Sequence, residues 1–164
     1  MNDPIKKYVS KGILLDTNLL ILLVVGLIGK AEISKHKTTG AYIPEDFDLL
    51  FNFLKLFKKI VVTPHVLAET SNLVDTFSGE KKSYPFLAIT DLLNKSYVFE
   101  THLPAIEISG TDGFTKYGLT DIGLIKVAKD NYLLLTDDLK MSGFAEKSGV
   151  DVINFNHIRW LNWN

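Results

Sequence analysis

The residues of this chain best suited to chemistry are acids standing just beyond short apolar runs. Asp16 follows Ile13-Leu14-Leu15, and the pair Asp137-Asp138 follows Leu133-Leu134-Leu135-Thr136. Glu69 falls on the second turn of a helix expected after Ile60-Val61-Val62, and Asp121 on the first turn of another, where the amino-terminal dipole favours an anion. Carboxylates gathered in one place repel one another, and burying them unpaired costs several kcal/mol, so such a group needs a cation. Hard oxygen ligands without Cys or paired His suit Mg²⁺ or Mn²⁺ rather than zinc, and leave positions for water and phosphate oxygens. A metal held this way lowers the pKa of a bound water, orients it in line with a phosphorus atom and neutralises charge on the leaving oxygen.

The elements that must position these acids follow from the apolar pattern. Residues 12–15 form a short buried strand that runs through Asp16-Thr17-Asn18 into a strongly apolar helix. Pro44, followed by Glu45 and Asp46, opens a second helix, and Phe47, Leu50, Phe51, Leu54 and Phe57 recur on one face of it. After the strand at 60–62, Thr63-Pro64 supplies an N-cap and a first-turn proline for the helix that carries Glu69. A helix is expected over 81–94 and a strand over 97–99. Pro104, Gly110 and Gly113 make 101–116 mostly loop. Thr120 is expected to cap a helix over 121–129, followed by a strand at 132–135, a helix over 138–147 stopped by Gly149, and a strand at 150–153. Alternation of this kind predicts an α/β fold, a three-layer α/β/α sandwich around a parallel sheet of four to five strands. In such sheets ligands bind beyond the carboxyl ends of the strands, where the acids stand.

The 164 residues suit one domain spanning 1–164, and 46% hydrophobic with 23% charged residues is an ordinary globular composition. The absence of Cys excludes a disulfide framework, a thiolate metal site and a cysteine nucleophile. The apolar run 19–28 falls short of the roughly 20 residues that span a bilayer, and residues 1–10 are polar, so neither a membrane span nor a secretory leader is expected and a cytoplasmic location is. A net charge of −1 exerts no overall pull on nucleic acid. Contacts to it would fall to local clusters: Lys35 with Lys37, Lys55 with Lys58 and Lys59, and Lys81 with Lys82.

Four segments together carry a family resemblance. Leu14-Leu15-Asp16-Thr17-Asn18, Thr63-Pro64-His65-Val66-Leu67-Ala68-Glu69, Gly118-Leu119-Thr120-Asp121 and Leu135-Thr136-Asp137-Asp138 resemble, in order, the successive acidic motifs of PIN domains. The resemblance covers about residues 12 to 155. It implies a PIN-like sandwich, Mg²⁺ or Mn²⁺ as cofactor, and endoribonuclease cleavage of RNA phosphodiester bonds, as in the toxin component of bacterial toxin-antitoxin pairs. It assigns Asp16, Glu69, Asp121 and Asp138 as catalytic metal ligands, with Asn18 and Thr136 as supports. Asp137 is the neighbouring candidate ligand, and the register of the fourth motif favours Asp138. RNA, an antitoxin protein and a second copy of the chain are the partners it implies. The spacing departs from compact toxins in the long interval between the first two motifs and in the segment before the third.

Each acid also has an ordinary role open to it, since Asp is common at strand ends and helix N-caps. Glu69 is the most telling, because it sits beside Val66 and Leu73 on a helix that should pack on the sheet. His65 and Glu69 are spaced to share a metal, but a further nitrogen ligand has no evident source. His157, amid Asn154, Asn156, Arg159 and Trp160, reads as part of a structural network, and Phe47, Phe51 and Phe57 read as core. Two alternatives share the strand-end acids: a phosphotransfer domain of haloacid-dehalogenase or receiver type with Asp16 as nucleophile, and a PIN-like RNA- or protein-binding module without turnover.

Overall fold

Strands with no polar residue between their ends must be covered on both faces, and this sequence supplies the cover with helices. The computed structural model describes residues 3–164. Its strands are β1 (Ile13–Leu15), β2 (Ile60–Val62), β3 (Val98–Glu100), β4 (Leu133–Thr136) and β5 (Val152–Asn154). They form one parallel sheet in the order β3-β2-β1-β4-β5. Ile13 lies between Ile60 and Leu133, Leu15 pairs with Leu135, and Thr136 with Asn154. β1, β2 and β4 are buried throughout, and β3 is the more exposed edge.

The helices are α1 (Pro4–Tyr8), α2 (Thr17–Ile28), α3 (Lys30–Ile33), α4 (Pro44–Leu54), α5 (Pro64–Val74), α6 (Tyr84–Leu93), α7 (Ala105–Ser109), α8 (Phe114–Ala128), α9 (Leu139–Lys147) and α10 (Phe155–Trp163). The chain steps outward from β1 to β2 and β3, then returns to the other side of β1 for β4 and β5. Right-handed crossovers running in opposite directions put their helices on opposite faces, which gives the α/β/α layering. α2 is apolar all round and buried from Leu19 to Gly26, as befits a helix surrounded by α3, α4, α5 and α6. Among the described residues no helix is long and apolar enough to cross a membrane.

Several local expectations give way to tertiary context. Phe57 lies beyond the end of α4, yet it is buried as a turn residue. The helix expected over 81–94 begins at Tyr84, after a 3₁₀ turn at Gly79–Lys81. The segment 101–116 is not mostly loop: α7 forms because Ile108 is buried against α8, where its Cδ1 stands 3.1 Å from where a Cβ on Gly123 would lie. α8 starts at Phe114 and breaks at Gly118, whose φ of 80° is a left-handed conformation that glycine adopts without strain. Thr120 therefore lies inside the helix rather than at its cap. α10 was not evident in the pattern, although Asn154 caps it through a 3.0 Å bond from the Asn156 amide.

One close approach gives a direct test of the packing. A Cβ at Gly26 on α2 would stand 2.0 Å from Cδ2 of Phe47 and 2.6 Å from its Cγ, so the ring would have to leave its seat. Gly26→Ala is expected to destabilise the protein by about 1–3 kcal/mol despite the better helix propensity of alanine. At Gly143 in α9 nothing lies within 4 Å, and Gly143→Ala is expected to stabilise by up to about 1 kcal/mol. Urea unfolding of both variants checks the pair, and equal effects of one sign would contradict this packing.

Candidate metal centre

The return of the chain to β4 makes the gap between the carboxyl ends of β1 and β4 the point where crossovers diverge, and in open α/β sheets the crevice that takes ligands lies at that point. Asp16 occupies it. The Asp16 amide completes the ladder to the Leu135 carbonyl at 3.2 Å, and its side chain turns inward, 5% exposed. Oδ1 accepts from the Leu19 amide at 3.0 Å and so caps α2. Oδ2 accepts the Thr136 hydroxyl and, at 3.1 Å, the Asp137 amide. The ordinary capping role is thus real, but it uses only part of the acceptor capacity of the carboxylate.

The other acids stand at the same end of the sheet, carried there by separate elements. Thr63 caps α5 through a 3.3 Å bond from the Val66 amide, which sets Glu69 on the second turn of that helix. The Glu69 carboxylate accepts the Thr17 hydroxyl at 3.0 Å and the Thr120 hydroxyl, tying the starts of α2 and α5 to the second half of α8. Counting from the break at Gly118, Asp121 sits in the first turn of that half, half-buried. Asp138 is the N-cap of α9, its Oδ1 accepting from the Lys140 and Met141 amides at 2.7 and 3.0 Å, and its own amide donates to the Thr136 hydroxyl at 3.0 Å. Asp137 points elsewhere: Asn18 donates to its Oδ1 at 3.1 Å and the Tyr42 hydroxyl to its Oδ2. The expected supports Asn18 and Thr136 therefore hold two different acids, Asp137 and Asp16.

The charges fall into two interacting groups. Burial pushes the Asp16 carboxyl up to about 7, and the negative charge of Asp137 adds to this against the bonds from Thr136, Leu19 and Asp137. Burial likewise pushes Asp121 up to about 6, with the charges of Asp138 and Glu69 adding to it. Burial and the adjacent Asp137 raise the Tyr42 hydroxyl well above its usual range, so it stays a donor. Among the described residues none of the five acids forms an ion pair; the Lys and Arg partners belong to Asp46, Asp48, Asp91, Asp151 and Glu32. As the side chains stand, no three of the described His, Asp or Glu residues lie close enough to share one ion. The donor set nonetheless suits a hard divalent cation, since it offers only oxygen ligands, two of them on carboxyls that burial and neighbouring negative charge make favour a proton.

Sequence reasoning missed the residues that reach the site from a distance. Thr17 and Thr120 stand beside Asp16 and Asp121 in the motifs already singled out, so that signal was available. Tyr42, 95 positions from Asp137, gave none. Its ring lies under Arg159, whose guanidinium is 4.9 Å from the centroid and bonds to the fully buried Asp46 at 2.8 and 2.9 Å. Asp46 also accepts from the Ile43 amide and the Trp163 indole. Asn156 donates to the Asp137 carbonyl at 2.8 Å. The expected structural network near the end of the chain is therefore present, but it runs through Asn156 and Arg159, while His157 is exposed outside it. The cluster Lys58-Lys59 stands at the start of β2, the opposite end of the sheet from the acids.

Two measurements follow from this electrostatic layout. Between the ordinary Asp value of 3.8 and about 7 the native Asp16 holds a proton that the unfolded chain has released, so stability falls as pH rises; Asp121 acts alike up to about 6. Asp151 and Glu32, held low by Lys7 and Lys81, act with the opposite sign only at more acid pH. The melting temperature in EDTA is expected to drop from about pH 5 to 7, less steeply in Asp121→Asn, whereas a rise across that interval would contradict the assignment. Arg159→Ala leaves Asp46 buried with only neutral donors and is expected to destabilise by about 3 kcal/mol, while Lys30→Ala, which breaks the exposed pair with Asp48, changes stability by less than about 1 kcal/mol in urea titrations. No protein-family model and no curated protein matches this chain in sequence, so the reading of the site rests on the residues themselves.

Proposed function

We propose that this protein is a Mg²⁺- or Mn²⁺-dependent endoribonuclease of PIN-domain type, with Asp16, Glu69, Asp121 and Asp138 as the catalytic acids. The observation that carries this reading is the contrast in charge pairing. The acids elsewhere that are buried or half-buried, Glu32, Asp46, Asp48 and Asp151, are each matched with Lys or Arg, whereas Asp16, Asp121 and Asp137 at the carboxyl end of the sheet are buried or half-buried with no cationic partner among the described residues. Asp16, Glu69, Asp121 and Asp138 would hold the metal, with Asp137 as the neighbouring candidate, once their side chains turn toward one point from the positions they occupy without it. When bound, it supplies an activated water and neutralises charge at the scissile phosphate.

The chain's own groups then have definable tasks. Thr136 and the Asp137 amide fix the Asp16 carboxylate, and the Thr17 and Thr120 hydroxyls fix that of Glu69, so two acids carried by different helices keep one orientation. Tyr42 and Asn18 hold Asp137 beside Asp16. Protonation of Asp16 or Asp121 would compete with the metal, so activity is expected to rise with pH through the range where these acids ionise. The same reading carries a cytoplasmic site of action, an antitoxin protein and self-association as associated proposals.

The test is incubation with total cellular RNA in EDTA, Mg²⁺ and Mn²⁺, with the cut ends mapped. Cleavage is expected only with metal, and Mn²⁺ is expected to raise the melting temperature by mass action. Asp138→Asn separates chemistry from structure. Asn caps a helix as well as Asp, so the melting temperature in EDTA should hold while cleavage falls at least about a hundredfold and metal-induced stabilisation shrinks. Asp137→Asn is expected to cost less. A metal-insensitive wild type, or full cleavage by Asp138→Asn, would defeat the proposal.

A further inference from the structure

An apolar cavity lies at the end of the sheet opposite the acids, where the strands begin. It encloses about 480 Å³, in the size range of small-molecule sites, and sits among α2, α4, α6 and the starts of β2 and β3. Its wall is apolar: Leu23 and Leu27 from α2, Phe51 and Leu54 from α4, Ile60 from β2 and Leu92 from α6. Tyr97 and Leu27, each 43% exposed, stand at the mouth. Leu27 is eleven residues from Asp16 along α2, which separates the cavity from the acids by roughly 16 Å of helix.

Only three charged groups line this cavity, and they do not cancel. Asp91 is bonded to Lys95 at 3.2 Å, so that pair is neutral. Lys55 has no carboxylate partner among the described residues; its ammonium rests 4.4 Å from the centre of the Phe51 ring. The ends of α4 and α6 also face this region, and free helix carbonyls would oppose an anion. Their last turns are largely closed, however: the Phe51, Phe53 and Leu54 carbonyls accept from Lys55, Leu56 and Phe57, and those of Thr90 and Leu92 from Asn94 and Lys95. One unopposed positive charge therefore remains at the lip of an apolar chamber.

We infer that this cavity is a binding site for a medium-chain aliphatic carboxylate, its chain seated between α2, α4 and α6 and its carboxylate paired with Lys55. The apolar wall supplies affinity by removing the chain from water, and Lys55 supplies the choice of head group. The site is independent of the metal centre, and its occupancy can be read without any catalytic assay.

The test uses methyl-labelled protein titrated with octanoate, octan-1-ol and octylammonium, followed by carbon-proton correlation spectra. Octanoate is expected to give saturable shifts concentrated at Leu23, Leu27, Leu54, Ile60 and Leu92. It should bind about five-fold more tightly than octan-1-ol, the effect of one solvent-facing ion pair, and more tightly still than octylammonium. Lys55→Glu, an exposed change that leaves the fold alone, should reverse the order of the two ions. Leu27→Trp, which fills the mouth from the exposed side of α2, should abolish the shifts. Absence of saturable shifts, shifts centred elsewhere, equal binding of the three probes, or a Lys55→Glu variant that keeps the wild-type preference would each overturn the inference.

Discussion

The rest of the structure is organised by one buried carboxylate at the junction of β1 and β4. Asp16 must remain beneath the surface because its amide is part of the sheet and its side chain caps α2, the helix about which the other helices on that side are packed. A carboxyl group in that position must be supplied with donors, and the Thr136 hydroxyl and the Asp137 amide provide them from the neighbouring strand end. That requirement fixes the turn between β4 and α9, and with it the positions of Asp137 and Asp138. The arrangement of the acids is thus a consequence of satisfying the first of them.

The molecule treats its acids in two ways. Asp46 is more deeply buried than any acid of the crevice, yet it receives the Arg159 guanidinium, the Trp163 indole and a backbone amide. The half-buried Glu32, Asp48 and Asp151 have a lysine each. Burial, with the charges of neighbouring acids adding to it and no cation to offset it, makes the Asp16 and Asp121 carboxyls hold protons longer. A fold able to pair its acids elsewhere, but leaving these unpaired, bears a local loss of stability where ligand chemistry is best placed to relieve it.

Much of this was legible in the sequence because the decisive signals are local. The strand before Asp16, the Thr63-Pro64 start of α5 and the Asp138 cap of α9 each lie within a few residues of what they determine. A parallel sheet of four to five strands was expected for the same reason: short apolar runs between helical segments leave little choice of connection. What escaped were interactions whose partners are distant in sequence. α7 depends on Ile108 finding α8, the inward turn of Thr120 depends on the backbone at Gly118, and the hold of Tyr42 on Asp137 depends on α10 reaching back to Asp46 through Arg159. None of these has a periodicity or cap of its own.

The strand order also has a bearing on when the crevice exists during synthesis of the chain. β1 finds its first neighbour in β2, but its other neighbour, β4, is paired through Ile13 and Leu133, far apart in sequence. Contacts of such long range form late, and a chain leaving the ribosome meets them only after most of it has been made. Until β4 emerges, the Asp16 side chain lacks both Thr136 and the Asp137 amide, and the apolar face of β1 is open along one edge. The surroundings of Asp16 are therefore completed only when residues 133–138 join the sheet. A chain that stops short of β4 would carry the first two motifs but neither the hydroxyl nor the amide that holds the Asp16 carboxylate in place.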